Sequence, residues 1–94
     1  MALTFAVIDH PESYYDAYDV LLAHIRQHFS DVQSGVQGDA WIWIFEDGEK
    51  VAVDSFYAMQ MEIHADADSP LVQKVIDLVG EIYPVRRYEE PIER

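Results

Sequence analysis

His24 and His28 stand four residues apart, which on a helix puts both imidazoles on one side and gives the spacing of a two-histidine metal grip. His10, His64 or a nearby carboxylate would have to complete such a site. No glutamate-flanked motif surrounds the pair, and border positions on an amphipathic helix account for both rings through packing and hydrogen bonding. No metal or cofactor is therefore expected. His64 follows Glu62 by two residues and lies ten beyond Asp54, a combination that in a pocket would make a general base. The same residues, with Gln60, also read as the solvated face of a strand, so no catalytic residue is assigned. Tyr14, Tyr15 and Tyr18 could offer hydroxyls to a ligand, or serve as core residues with wet tips. Asp66, Asp68 and Asp77 lack the spacing and the closing glutamate of a calcium loop.

Charge and composition narrow the classes further. Six Lys and Arg against 18 Asp and Glu give a formal charge of −12, which repels nucleic acid and anionic membranes, so neither is expected as a partner. The chain has no cysteine, which excludes disulfides, thiolate metal sites and thiol nucleophiles. Half of its 94 residues are hydrophobic, enough for one folded domain able to bury roughly 60–65% of its unfolded surface. The opening residues Met1–Asp9 form neither a basic leader nor an apolar run of membrane-spanning length, and the expected location is cytoplasmic.

The elements that must position these groups centre on Ala40–Asp54, a β-hairpin closed at Asp47-Gly48. That dipeptide supplies the positive φ angles of a primed turn between two runs rich in β-branched and aromatic residues. The two-residue loop sets the register: Trp41 faces Asp54, Ile42 faces Val53, Trp43 faces Ala52, Ile44 faces Val51 and Phe45 faces Lys50. Alternation then gives one aliphatic face, Ile42, Ile44, Val51 and Val53, and a second carrying Trp41, Trp43 and Phe45.

Leu3–Ile8 reads as a buried strand. Helical periodicity runs from Tyr14 to Phe29, with Asp9 or Ser13 as the cap, and again from Leu71 to Ile82 after Ser69-Pro70. The polar stretch Ser30–Asp39 reads as a loop. Met59–His64 alternates as a half-buried strand, with Met59, Met61 and Ile63 inward and Gln60, Glu62 and His64 outward. Val85–Tyr88 suits an edge strand, and Glu89–Arg94 a frayed charged tail.

The expected fold is α+β, a two-layer sandwich of a mainly antiparallel sheet with two helices on one face, in the order β-α-β-β-β-α with a further optional strand. Residues 1–88 form its single domain and 89–94 a flexible tail. The helices need one aliphatic sheet face, and the first crossover should run the first strand parallel to a meander strand. Trp41, Trp43 and Phe45 are then left on the open face, margined by Asp54, Gln60, Glu62 and His64, unless the tail, the 30–39 loop or Phe56-Tyr57 covers them. An aromatic patch of this kind is a contact surface. The functional expectation is a non-enzymatic binding domain that uses this face for homodimerisation or contact with another protein. The alternatives are a small-molecule binder or enzyme with a His/carboxylate pocket, and an acidic inhibitor that blocks a basic partner.

Overall fold

The computed structural model describes residues 2–56 and 58–94. Its strands and helices follow in the order β1 (Leu3–Ile8), α1 (Tyr14–His28), β2 (Val32–Gln37), β3 (Asp39–Glu46), β4 (Glu49–Asp54), β5 (Glu62–Ala65), α2 (Pro70–Val79) and β6 (Val85–Glu93). The strands form one six-stranded antiparallel sheet in the spatial order β2-β3-β4-β5-β1-β6, so the chain is a small α+β fold. None of the helices described is long and apolar enough to cross a membrane.

The β3–β4 hairpin has the register its turn chemistry dictates, from Trp41 opposite Asp54 to Glu46 opposite Glu49. Asp47 and Gly48 take φ values of 53° and 78°, the left-handed pair that a primed turn needs. The aliphatic face of this hairpin is the core. Ile42, Ile44, Val51 and Val53 are wholly buried, with Met61 and Ile63 beside them, under Leu21 and Ile25 of α1 and Val72, Val75 and Val79 of α2. Burying each such side chain contributes about 1.5–3 kcal/mol, so this layer dominates the stability of the fold. At the start of α1, Ser13 rather than Asp9 is the cap, its hydroxyl accepting from the Asp16 backbone N–H.

The fold departs from the sequence expectations in four places. The stretch expected to be a loop contains β2, which pairs with β3 from Val32 opposite Ile44 to Gln37 opposite Asp39. Its alternation is carried by Val32, Ser34 and Val36 alone, and the two glycines mask it: Gly38 turns the chain at φ 79°, while Gly35 lies under the Trp41 indole. Strand β1 runs in the same direction as β2 and β4, but its neighbours β5 and β6 are both antiparallel to it, so the sheet has no parallel pair. The long crossover through α1 carries the chain to the far edge instead of to an adjacent strand.

The strand expected over Met59–His64 is confined to Glu62–Ala65. Met59, expected inward, is 78% exposed, and Gln60 turns away from the open face to donate from Nε2 to the Ile8 carbonyl. Glu62 and His64, expected to be solvated, are both 3% exposed, because β5 lies in the middle of the sheet between β4 and β1. Finally, the segment expected to fray belongs to β6. Leu3 pairs with Glu93 and Thr4 with Ile92, and the register shifts between Thr4 and Ala6, where β6 carries Tyr88 to Pro91 as extra length. Proline is tolerated in a strand at such an irregularity, and the outer edge of β1 would otherwise be unpaired. Arg86 and Arg87 tie the same strand to the acidic body through Asp9 at 3.6 Å and Asp68 at 3.2 Å.

Candidate functional site on the open sheet face

The face turned away from the helices is not flat. A groove of about 450 Å³ runs across it, walled by Trp41, Trp43 and Phe56, floored by Ala52, Asp54 and His64, and rimmed by Asp39 and Asp66. The two indoles stand on alternate residues of β3, which brings them to one face with ring centroids 4.3 Å apart and planes tilted by 34°. Trp41 reaches this position because Gly35 is directly opposite on β2. A Cβ at residue 35 would come within 2.5 Å of the Trp41 ring. Lys50 places its ammonium 3.9 Å from the centroid of Trp43, a cation on the electron-rich face of the ring. Both indoles are half-buried, and Phe56 at the end of the groove is 63% exposed.

Behind the groove lies a polar brace. Register sets Thr4 of β1 beside His64 of β5, and His64 beside Ala52 of β4. The Thr4 hydroxyl and His64 Nδ1 are 2.8 Å apart, and His64 Nε2 lies 2.9 Å from Asp54 Oδ1 and 3.7 Å from Glu62 Oε1. Arg94 closes the cluster, donating from Nε to Thr4 Oγ1 at 3.0 Å and from Nη2 to Glu62 Oε2 at 2.9 Å. Because guanidinium only donates, Thr4 Oγ1 accepts from Arg94, and the same hydroxyl forms the second bond to His64 Nδ1, with the direction set by the imidazole tautomer. The His64–Asp54 approach has the distance of an ion pair without the alignment of a linear hydrogen bond. Nδ1 is thus held by Thr4 and Nε2 lies against two carboxylates, an arrangement that suits a histidine bracing its neighbours.

Of the residues singled out in the sequence, this face brings together Trp41, Trp43, Asp54, Glu62 and His64. It leaves out two. Gln60 is bound at the other end of β5, to Ile8 and Asp9. Phe45, although on the same side of β3, lies near the hairpin tip and lines a separate depression with Phe29, Asp31 and Glu46. Tyr57, one of the residues considered as a cover for the rings, lies outside the described residues. Thr4 and Arg94 were not legible as site residues, whereas the hairpin register already set Lys50 opposite Phe45 on the aromatic face. Thr4 follows only from the β1–β5 pairing, and nothing in a charged terminal stretch marks Arg94.

The other candidates are occupied by packing. The His24 and His28 rings lie with centroids 4.9 Å apart and planes tilted by 56°, His24 Nε2 sits 3.1 Å from Glu81 just past the end of α2, and His28 Nδ1 meets the His24 carbonyl at 3.1 Å. Among the described residues no three histidines or carboxylates are arranged to hold a metal ion. Tyr18 is core, and Tyr15 is exposed with its hydroxyl donating to the Gly38 carbonyl at 3.4 Å. Asp68 pairs with Arg87, and Asp77 accepts from Gln73 at 2.8 Å.

Fold and site together define a small α+β domain with helices on one face of an antiparallel sheet and an aromatic, acid-rimmed groove on the other. No known family matches the chain, and no curated protein or solved structure is detectably similar to it.

Proposed function

We propose that the protein is a binding domain whose open-face groove takes a small organic cation with a flat apolar body. The observation that carries this reading is the Lys50 ammonium seated over Trp43, 3.9 Å from the ring centroid, in a groove with carboxylates at Asp39, Asp54 and Asp66. The site already stabilises a positive charge against an indole face, and a ligand ammonium that displaces the exposed Lys50 side chain would meet the same ring and carboxylate chemistry. The groove volume of about 450 Å³ also falls in the range of small-molecule sites, which combine apolar walls with a few converging polar groups.

Two features favour this reading over a partner protein seated on Trp41, Trp43 and Phe45. Phe45 is separated from the indoles, so the expected aromatic patch is split, and the surface around the indoles is concave. Catalysis is less well supported, since His64 is 3% exposed and both of its nitrogens face partners.

Titration of indole fluorescence with benzyltrimethylammonium, benzyl alcohol and benzoate tests the proposal. The cation should bind at least about tenfold more tightly than the neutral alcohol, a difference of roughly 1.4 kcal/mol, and benzoate should bind least. Benzoate binding as well as the cation, or a response unchanged by Trp43→Ala, would remove the basis for it.

A further inference from the structure

The two edges of the sheet are built differently. Strand β6 carries Arg86, Arg87, Glu89, Glu90, Pro91 and an irregularity of register, all of which block strand addition. Strand β2, Val-Gln-Ser-Gly-Val-Gln, has no charge, no proline and no break in its register over six residues. Among the described residues no strand pairs with its outer side.

The Phe45 N–H donates to the Asp31 carbonyl at 3.0 Å, so Asp31 and Phe45 are a hydrogen-bonded pair. Antiparallel alternation makes Gln33 with Trp43 and Gly35 with Trp41 the next two such pairs. It turns the backbone N–H and C=O groups of Val32, Ser34 and Val36 outward.

We propose that β2 is a self-association edge, and that two copies join β2 to β2 antiparallel about a two-fold axis at Ser34. In that register Ser34 meets its own copy and Val32 meets Val36 of the second chain. Every outward N–H and C=O from Val32 to Val36 is then paired. Asp31 falls opposite Gln37, and no carboxylate opposes another. Moving the axis to Gly35 would set Asp31 against Asp39, and moving it to Gln33 would shorten the ladder. On a chain of net charge −12, this uncharged strand is where two copies can approach without opposing acids.

The axis stands perpendicular to the sheet, so both open faces lie on one side of a continuous twelve-stranded sheet. The two aromatic grooves then face the same way, with Gln33 of each copy beside Trp41 of the other. On the helix side, Arg26 of each chain, bonded to Ser34 Oγ at 2.9 Å, approaches its counterpart. Association should therefore strengthen with added salt, which screens both the Arg26 pair and the net charge.

Sedimentation equilibrium on the full chain, with and without salt, tests this pairing beside Ser34→Pro and Val36→Lys. The Ser34 N–H faces outward, so proline there spares the ladder to β3 while removing a donor from the dimer. The expected result is a wild-type dimer that tightens with salt, and folded monomers for both variants by circular dichroism. A wild-type monomer at the highest soluble concentration would overturn the proposal, as would a folded Val36→Lys variant with the wild-type mass. If Ser34→Pro fails to fold, Val36→Lys alone decides. Because the groove is read by cation titration and the edge by mass, failure of one leaves the other standing.

Discussion

Arg94→Ala is the most demanding test of the open face, because the sequence offers no reason for its last residue to matter. In the fold, the guanidinium donates to Glu62, a carboxylate with a side chain only 4% exposed, and to Thr4, which is wholly buried. A charge-assisted bond contributes about 1.5–3 kcal/mol and a neutral one about 0.5–1.5 kcal/mol. Breaking a fully buried pair costs about 3–5 kcal/mol, chiefly because a charge is left uncompensated. The Arg94 side chain is 26% exposed, so water would reach part of the gap and the ordering of a long side chain offsets part of the gain. The expected loss is roughly 2–3 kcal/mol, equivalent for a domain of this size to a fall in Tm of about 10–20 °C. Urea unfolding followed by indole fluorescence and circular dichroism would measure it. In a Glu62→Gln background the same substitution should cost much less, since the buried charge is gone. A loss below about 0.5 kcal/mol, the size of an ordinary surface change, would refute the docking of β6 and Arg94 onto the face.

Three further outcomes follow from the geometry. Trp43→Ala should abolish cation binding by at least about tenfold while the core, which lies on the opposite face, keeps its unfolding cooperativity; calorimetry of both would show it. Gly35→Ala places a methyl within 2.5 Å of the Trp41 indole and should cost about 1–3 kcal/mol while shifting the indole emission, and a silent substitution would mean that Trp41 does not rest on β2. The Tyr83 phenol is pushed up from 10 to about 12, first by burial and then by the hydrogen bond to Glu12 and its negative charge. Its folded state thus keeps a proton that the unfolded chain releases, a contribution fully present below pH 10 and lost as pH rises toward 12. Tyr83→Phe should lack that part of the alkaline loss, read as a smaller difference between urea midpoints at the two ends of this window.

The hairpin was legible because its local chemistry and its hydrophobic pattern agree: one Asp-Gly pair fixes the register of six residue pairs. The helices were legible for the same reason, since apolar periodicity survives whatever lies beside it. Strand β2 was hidden because its inward positions are two valines and a serine, and because Gly35 answers to a tryptophan opposite it rather than to a turn. Strand β5 misled for a different reason. Glu62 and His64 sit on the face that alternation assigns to water, and only the insertion of β5 between β4 and β1 buries them. Composition carries no information about strand order, so Thr4 and Arg94 could not be linked to His64 before the sheet was assembled.

The juxtaposition of brace and groove argues for binding on energetic grounds. Burying Glu62 and His64 beneath Arg94 costs desolvation that an aliphatic cluster of the same volume would avoid. What the cluster supplies instead is rigidity at one place. Asp54 lies opposite both Trp41 on β3 and Glu62 on β5, and His64 holds it from one side, so the carboxylate on the groove floor is fixed relative to the indole wall. A preorganised carboxylate beside a preorganised ring reduces the ordering cost that a small ligand must meet. A weakened brace, as in Thr4→Val, should therefore lower affinity for benzyltrimethylammonium more than it lowers affinity for benzyl alcohol. Equal losses for the two ligands would mean that Thr4 and His64 serve the fold alone.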